Sequence, residues 1–130
     1  SDDYKLLLET AKDHGVGAIG VRVLAGGALS GSVVRHPLGM RDVMPIGSET
    51  DYATDVKRGL AFMPLVEAGH AGSLIELAIR YVISNPALPT TEIGIATLDE
   101  LQQATAAVNK GPLSPDALAQ IKQVQAGFVI

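Results

Sequence analysis

The chain has 130 residues, 47% of them hydrophobic, with 10 basic side chains against 14 acidic ones and no cysteine. That length holds one domain at most, and the apolar fraction suits a globular fold and excludes disorder by composition. A net charge of −4 has the wrong sign for nucleic acid, no run approaches the roughly 18 apolar residues of a membrane span, and without cysteine neither a disulfide frame nor a thiolate metal site can form. The composition is that expected of a cytoplasmic protein.

The chain opens almost directly inside a helical pattern, from Asp2 onward. Tyr4, Leu7, Leu8 and Ala11 fall at i, i+3, i+4 and i+7, one face of a helix. With neither an initiator Met nor a signal pattern in front of it, an excised piece of a longer protein is expected. Gly15 stops the helix by adopting the left-handed conformation cheaply. Val16 to Leu24 is short, apolar and β-branched, and Gly17 and Gly20 would weaken a helix there. A strand near 17–24 is expected, covered on both faces as in parallel sheets. Ala25 to Gly31 reads as a glycine-rich turn. Residues 32–50 show no period and contain Pro37, Gly39, Pro45 and Gly47; a loop this long is usually functional or disordered.

Helical spacing returns from Asp51 through Val56, Leu60 and Met63, with Pro64 kinking or restarting the helix and Gly69 ending it. Ser73 and Glu76 form a capping box for a helix that should turn Leu74, Leu77, Ala78, Tyr81 and Val82 inward before Asn85-Pro86. A second strand is expected near 92–96. Thr97 and Glu100 form another capping box, opening a helix to about Val108, and Ser114-Pro115 starts a last helix. Two strands separated by helices must run parallel, so residues 1–130 read as a single α/β segment.

Two places could carry chemistry. After the first strand, small residues from Val21 to Gly31 let backbone amides approach a ligand and cradle a phosphate, with Arg22 a positive fork nearby. A tight turn that merely needs glycine explains the same residues. Ile93 to Glu100 joins the second strand to a capped helix whose N-terminus attracts anions; an ordinary cap, worth about 1 kcal/mol, explains that equally. Turns at the carboxyl ends of neighbouring parallel strands are where barrels bind ligands. Elsewhere the signals are weak. His14 suits a helix C-terminus, His70 reads as solvated, and the histidines lack metal-ligand spacing. Asp51 and Asp55 share the face of a helix start that normally carries acids. Ser30 and Ser32 lack a nucleophile elbow, and neither dinucleotide nor P-loop glycine patterns occur.

Together these residues carry a resemblance. Leu24-Ala-Gly-Gly-Ala-Leu-Ser-Gly31 resembles the PLxxGxLxG turn after the seventh strand of aldo-keto reductases. Ser73 to Tyr81 is similar to the helix that follows, with Ala78 and Tyr81 in the Ala and aromatic places of xxALxW. Gly94 to Leu101 is similar to GASxxEQL at the eighth strand, and Gly111-Pro-Leu-Ser-Pro115 resembles the tail that opens the C-terminal helix. The matches stand in the family's order and cover nearly the whole chain. They imply a partial (β/α)8 TIM barrel, from the sixth helix through the eighth strand and C-terminal helices, with two parallel strands and about five helices.

The resemblance also implies a site. Leu24, Ala25, Gly26 and Gly27 would line a cofactor pyrophosphate, with Arg22, in place of a small polar residue, on its phosphates. Thr97, Glu100, Gln103 and Ala104 would face the adenosine end. Val21 replaces the aromatic ring that often stacks on the nicotinamide. Glu100 stands where many NADP-dependent members carry Arg or Gln; a carboxylate there repels a 2′-phosphate and prefers a ribose hydroxyl. NADP and NAD therefore both stay open. Arg35 and His36 lie in the loop, 32–50, that would overhang the active-site mouth and meet a small carbonyl substrate. The family's Asp, Tyr, Lys and His tetrad belongs to strands upstream of everything matched here. The expectation is the cofactor-cradling portion of an NAD(P)-dependent oxidoreductase of aldehydes or ketones, inactive on its own. The alternative is a non-catalytic partial-barrel module that self-associates into a homo-oligomer, because two strands cannot close a barrel.

Overall fold

The structure, a computed structural model, describes residues 4–39 and 44–128. Asp2, where the sequence places the first helical residue, lies outside them, as do residues 40–43 of the long loop. Helix α1 (Lys5–Asp13) ends at Gly15, which takes φ 68°. Its expected apolar face is covered only in part: Leu8 and Ala11 are half-buried, Tyr4 and Leu7 are exposed, and no residue of the helix is fully buried. Strand β1 (Ile19–Gly20) follows, and then a 3-10 helix (Ala25–Ser30) stands where a plain turn was expected. Beyond the long loop come α2 (Tyr52–Leu60) and α3 (Met63–Glu67), the second restarting with Pro64 in its first turn, where a missing amide costs nothing.

Side-chain caps place the remaining helices. Ser73 accepts from the Glu76 amide at 3.1 Å and opens α4 (Leu74–Ile83). The return half of that capping box is missing, because the Glu76 carboxylate turns to Arg80 at 3.0 Å and Lys110 at 2.7 Å. After β2 (Thr90–Thr91), Thr97 opens α5 (Leu98–Asn109) with a complete box, and Ser114 opens α6 (Pro115–Ala126).

The two strands pair in parallel, Ile19 against Thr90 and Gly20 against Thr91. Strand β1 is far shorter than the expected 17–24, and β2 is both short and displaced, lying wholly before the expected 92–96. Arg22 takes φ 57°, which turns the chain two residues past β1. The Glu92 amide still donates to the Gly20 carbonyl at 2.8 Å, and the ladder ends there. The expectation of cover on both faces also fails, since Val16, Ile19 and Val21 are exposed and Val23 is buried.

Helix α4 is the hub of the packing. One side meets Leu65 of α3 and Leu113, Ala117 and Ile121 around α6, through Leu77. The other side carries Ile79, fully buried against Val23 and Ala107, with Ile75, Val82, Leu24, Ile93 and Ala104 around them. Tyr81, expected inside, is exposed, while Ile79 takes the central place. Arg80 ties the bundle by donating to the carbonyls of His70, Gly111 and Pro112. His70, expected in solvent, is half-buried, its Nε2 3.0 Å from Gln120 Nε2.

Candidate functional site

Parallel pairing sends both strands out of the sheet at the same edge. The segment after β1 and the segment after β2 therefore leave side by side, and Leu24 and Ile93 pack into one apolar cluster. This juxtaposition is the site.

The first turn is built from left-handed backbone. Arg22 (φ 57°), Ala25 (φ 50°), Gly26 (φ 65°) and Gly27 (φ 103°) follow one another closely. The conformation is natural for glycine and costs a residue with a side chain about 1–2 kcal/mol. Strain of this kind collects at functional turns and persists where its surroundings over-determine it. Those surroundings are visible. Helix α2 lies so close that a Cβ on Gly59 would come within 3.0 Å of the Ala28 carbonyl, and Ala28 is fully buried. A Cβ on Gly27 would sit 3.1 Å from the Tyr52 hydroxyl.

The aperiodic loop is pinned at five points. Arg22 Nη2 donates to the Met44 carbonyl at 3.0 Å. Arg35 Nη2 donates to the Gly26 carbonyl at 2.8 Å, and its guanidinium stacks 4.1 Å from the centroid of the Tyr52 ring. The Tyr52 hydroxyl donates to the Ser32 carbonyl at 3.1 Å. Asp55 accepts from the amides of Ile46 at 2.6 Å and Ser48 at 2.9 Å. Arg58 Nη1 donates to the Gly47 carbonyl. Asp55 is thus a buried anchor, not the exposed helix-start acid expected, whereas Asp51 is the cap itself. Hydrogen bonds from the Thr54 amide and hydroxyl hold the Asp51 carboxyl below its usual range. Sequence reading missed Tyr52, Asp55 and Arg58 as loop anchors. Their spacing of i, i+3 and i+6 on one helix was the available signal.

The second turn is closed by its own side chain. Glu100 Oε2 accepts from the Ala96 amide at 2.6 Å and the Thr97 amide at 3.3 Å, while Thr97 Oγ1 accepts from the Glu100 amide at 3.2 Å. The carboxylate therefore sits where a helix N-terminus would receive an anion. Of the other expected contacts, Gln103 is exposed and donates to Asp99 at 2.6 Å, and Ala104 is half-buried in the apolar cluster. In the loop, His36 is exposed and its Nδ1 accepts from the Leu38 amide at 3.2 Å.

The model of the aldo/keto reductase family matches residues 1–126, almost the whole chain. The chain belongs to the aldo/keto reductase family. That membership supports an oxidoreductase-like function, and the family's barrel is consistent with the parallel pair and surrounding helices found here. Its members generally use a nicotinamide cofactor and a carbonyl substrate. No curated protein matches the chain.

At the first turn Gly26 and Gly27 are half-buried, with the Gly26 carbonyl taken by Arg35 and the Gly27 amide by the Leu24 carbonyl. At the second turn a phosphate would have to displace Glu100. Among the described residues, no cluster of three or more His, Asp or Glu side chains could hold a metal ion, and no helix is long and apolar enough to cross a membrane.

Proposed function

We propose that this chain forms the cofactor cradle of an NAD(P)-dependent reductase of aldehydes or ketones. The observation that carries the reading is the parallel pairing of β1 with β2, which brings the left-handed glycine turn and the capped start of α5 to one sheet edge in a member of this family. Leu24 to Gly27 hold the cofactor pyrophosphate through their backbone, with Arg22 beside them. Thr97, Glu100, Gln103 and Ala104 flank the adenosine, and Arg35 and His36 border the carbonyl substrate. The nicotinamide, when bound, supplies the hydride that reduces the carbonyl. In this reading the chain supplies the cradle, and none of its residues is assigned the tetrad's proton-donating role.

Cofactor choice follows from Glu100. A helix N-terminus favours a phosphate by about 0.3–1 kcal/mol, whereas a carboxylate about 4 Å away opposes it by about 4 kcal/mol at an effective dielectric near 20. Glu100 is turned back onto the Ala96 and Thr97 amides as a cap, and NAD is accepted at least as well as NADP only where the same carboxylate also faces the 2′-phosphate. Titration of both cofactors into the natural protein tests this, before and after Glu100→Arg. Comparable affinities, with NADP gaining on substitution, support the reading. Absence of binding by either cofactor sinks it, and far tighter NADP binding that is indifferent to the substitution leaves Glu100 as a cap alone.

One observation favours the second reading, a self-associating module: the exposed Leu6, Leu7, Val16, Ile19 and Val21 around α1 and β1. Sedimentation of the 130-residue chain separates the two, since a discrete oligomer with no cofactor affinity is what that module requires.

A further inference from the structure

The turn between α3 and α4 is fastened to α6 by three polar side chains. Each precedes a buried member of the apolar cluster in the chain: His70 before Ala71, Asp116 before Ala117 and Gln120 before Ile121. Gln120 Nε2 donates to Asp116 Oδ2 at 3.0 Å and lies 3.0 Å from His70 Nε2. A side-chain amide nitrogen has two hydrogens and accepts nothing. With Asp116 taking one hydrogen, the second meets His70 Nε2, which can receive it only as a bare lone pair. Turning the amide over would set its oxygen against the Asp116 carboxylate. The network therefore assigns a neutral ring with its proton on Nδ1. We infer that His70 and Gln120 form an acid-sensitive clip between the α3–α4 turn and α6, closed while the imidazole is neutral and opened when Nε2 takes up a proton.

A protonated Nε2 is a donor, and it would face the hydrogens of Gln120. The groups around the ring decide whether another partner makes good that loss. From α4, Arg80 donates to the His70 carbonyl at 3.1 Å, and its charge opposes a second cation, although Glu76, shared with Lys110, offsets part of it. From α3 the contact is the Leu65 carbonyl, which accepts from the His70 amide at 3.0 Å, while Glu67 is exposed. From α6, Asp116 Oδ2 lies 3.6 Å from Nε2 and favours the charged ring. Its side chain is 72% exposed, however, and an ion pair so placed contributes little. The imidazole is only 17% exposed, so its charge would also lose hydration. The clip is thus present in alkali and lost as pH falls through the range of about 5–8 in which histidines charge.

The test uses the natural protein and two variants, His70→Gln and Gln120→Glu. A long-range proton–nitrogen correlation spectrum at about pH 8 should show the His70 ring as the Nδ1–H tautomer. Hydrogen–deuterium exchange, corrected for the intrinsic dependence on pH, should show the α6 amides losing protection about fivefold between about pH 8 and 5.5. The α5 amides should hold theirs. His70→Gln removes the titrating group and should abolish the difference. Gln120→Glu sets an acceptor against Nε2, so α6 should instead gain protection in acid. An Nε2–H tautomer, or a charged ring at about pH 8, overturns the clip. So does equal α6 protection at both pH values in the natural protein. Loss shared equally by α5 and α6 shows general loosening in acid and overturns it as well, as does a Gln120→Glu protein whose response keeps the parent's sign.

Discussion

The two turns at the sheet edge solve one problem in opposite ways. After β1, the chain reverses through left-handed residues, with the amides of Ala25 and Gly27 closed on the Arg22 and Leu24 carbonyls and the turn braced from outside by α2 and the loop. After β2, the chain enters a helix whose first amides are satisfied from within by Thr97 and Glu100. The first draws its bracing from elements distant in sequence, the second from side chains within four residues.

The largest expected effect lies behind the second turn, where α5 is tied to α4. Burial alone would raise the Glu76 carboxyl, but hydrogen bonds from Lys110, Arg80 and the Gly72 amide outweigh it and hold the group below its ordinary value of 4.5. A depressed carboxyl contributes stability that is present above the unfolded value and lost as pH falls through the folded one. Glu76→Gln should cost about 2 kcal/mol near neutrality, and the cost should shrink as pH falls from the ordinary value of 4.5 through the lower folded value, where the parent's own carboxylate becomes protonated. Denaturant midpoints of both proteins across that range check the sign. A penalty that grows in acid would show that Glu76 does not carry this ion pair.

The comparison of turns is sharpened by the same substitution at each. Gly27→Ala meets φ 103° and the Tyr52 hydroxyl, and should destabilise by about 1–2 kcal/mol. Gly94→Ala meets open space and ordinary backbone, and should stay within about 0.5 kcal/mol. Equal effects from denaturant melts would mean that the first turn needs no special backbone, and the contrast would collapse.

Local chemistry explains what could be read in advance. Ser73, Thr97 and Ser114-Pro115 announced helix starts because caps act within four residues, and the structure places α4, α5 and α6 where those signals fall. The parallel pairing was legible from the order of the elements, because two strands separated by helices must cross over. Strand length was not, because it depends on Arg22 adopting a left-handed angle that nothing in VGAIGVRVL demands. The role of Asp55 was hidden too. Its partners are amides at Ile46 and Ser48 in an aperiodic loop, and backbone amides leave no trace in a residue pattern. Arg35 was readable as a loop cation near the site, but its bond to Gly26 is a contact across nine residues that only the fold reveals.

The central proposal is that a cofactor meets the glycine turn rather than the start of α5, whose first amides Glu100 already holds. Hydrogen–deuterium exchange of the natural protein, with and without a nicotinamide cofactor, tests it most directly. The account predicts that amides at 25–28 gain protection on binding, whereas those of Ala96 and Thr97, held by Glu100, are slow from the outset and change little. Strong new protection at 96–97, with none at 25–28, would contradict it.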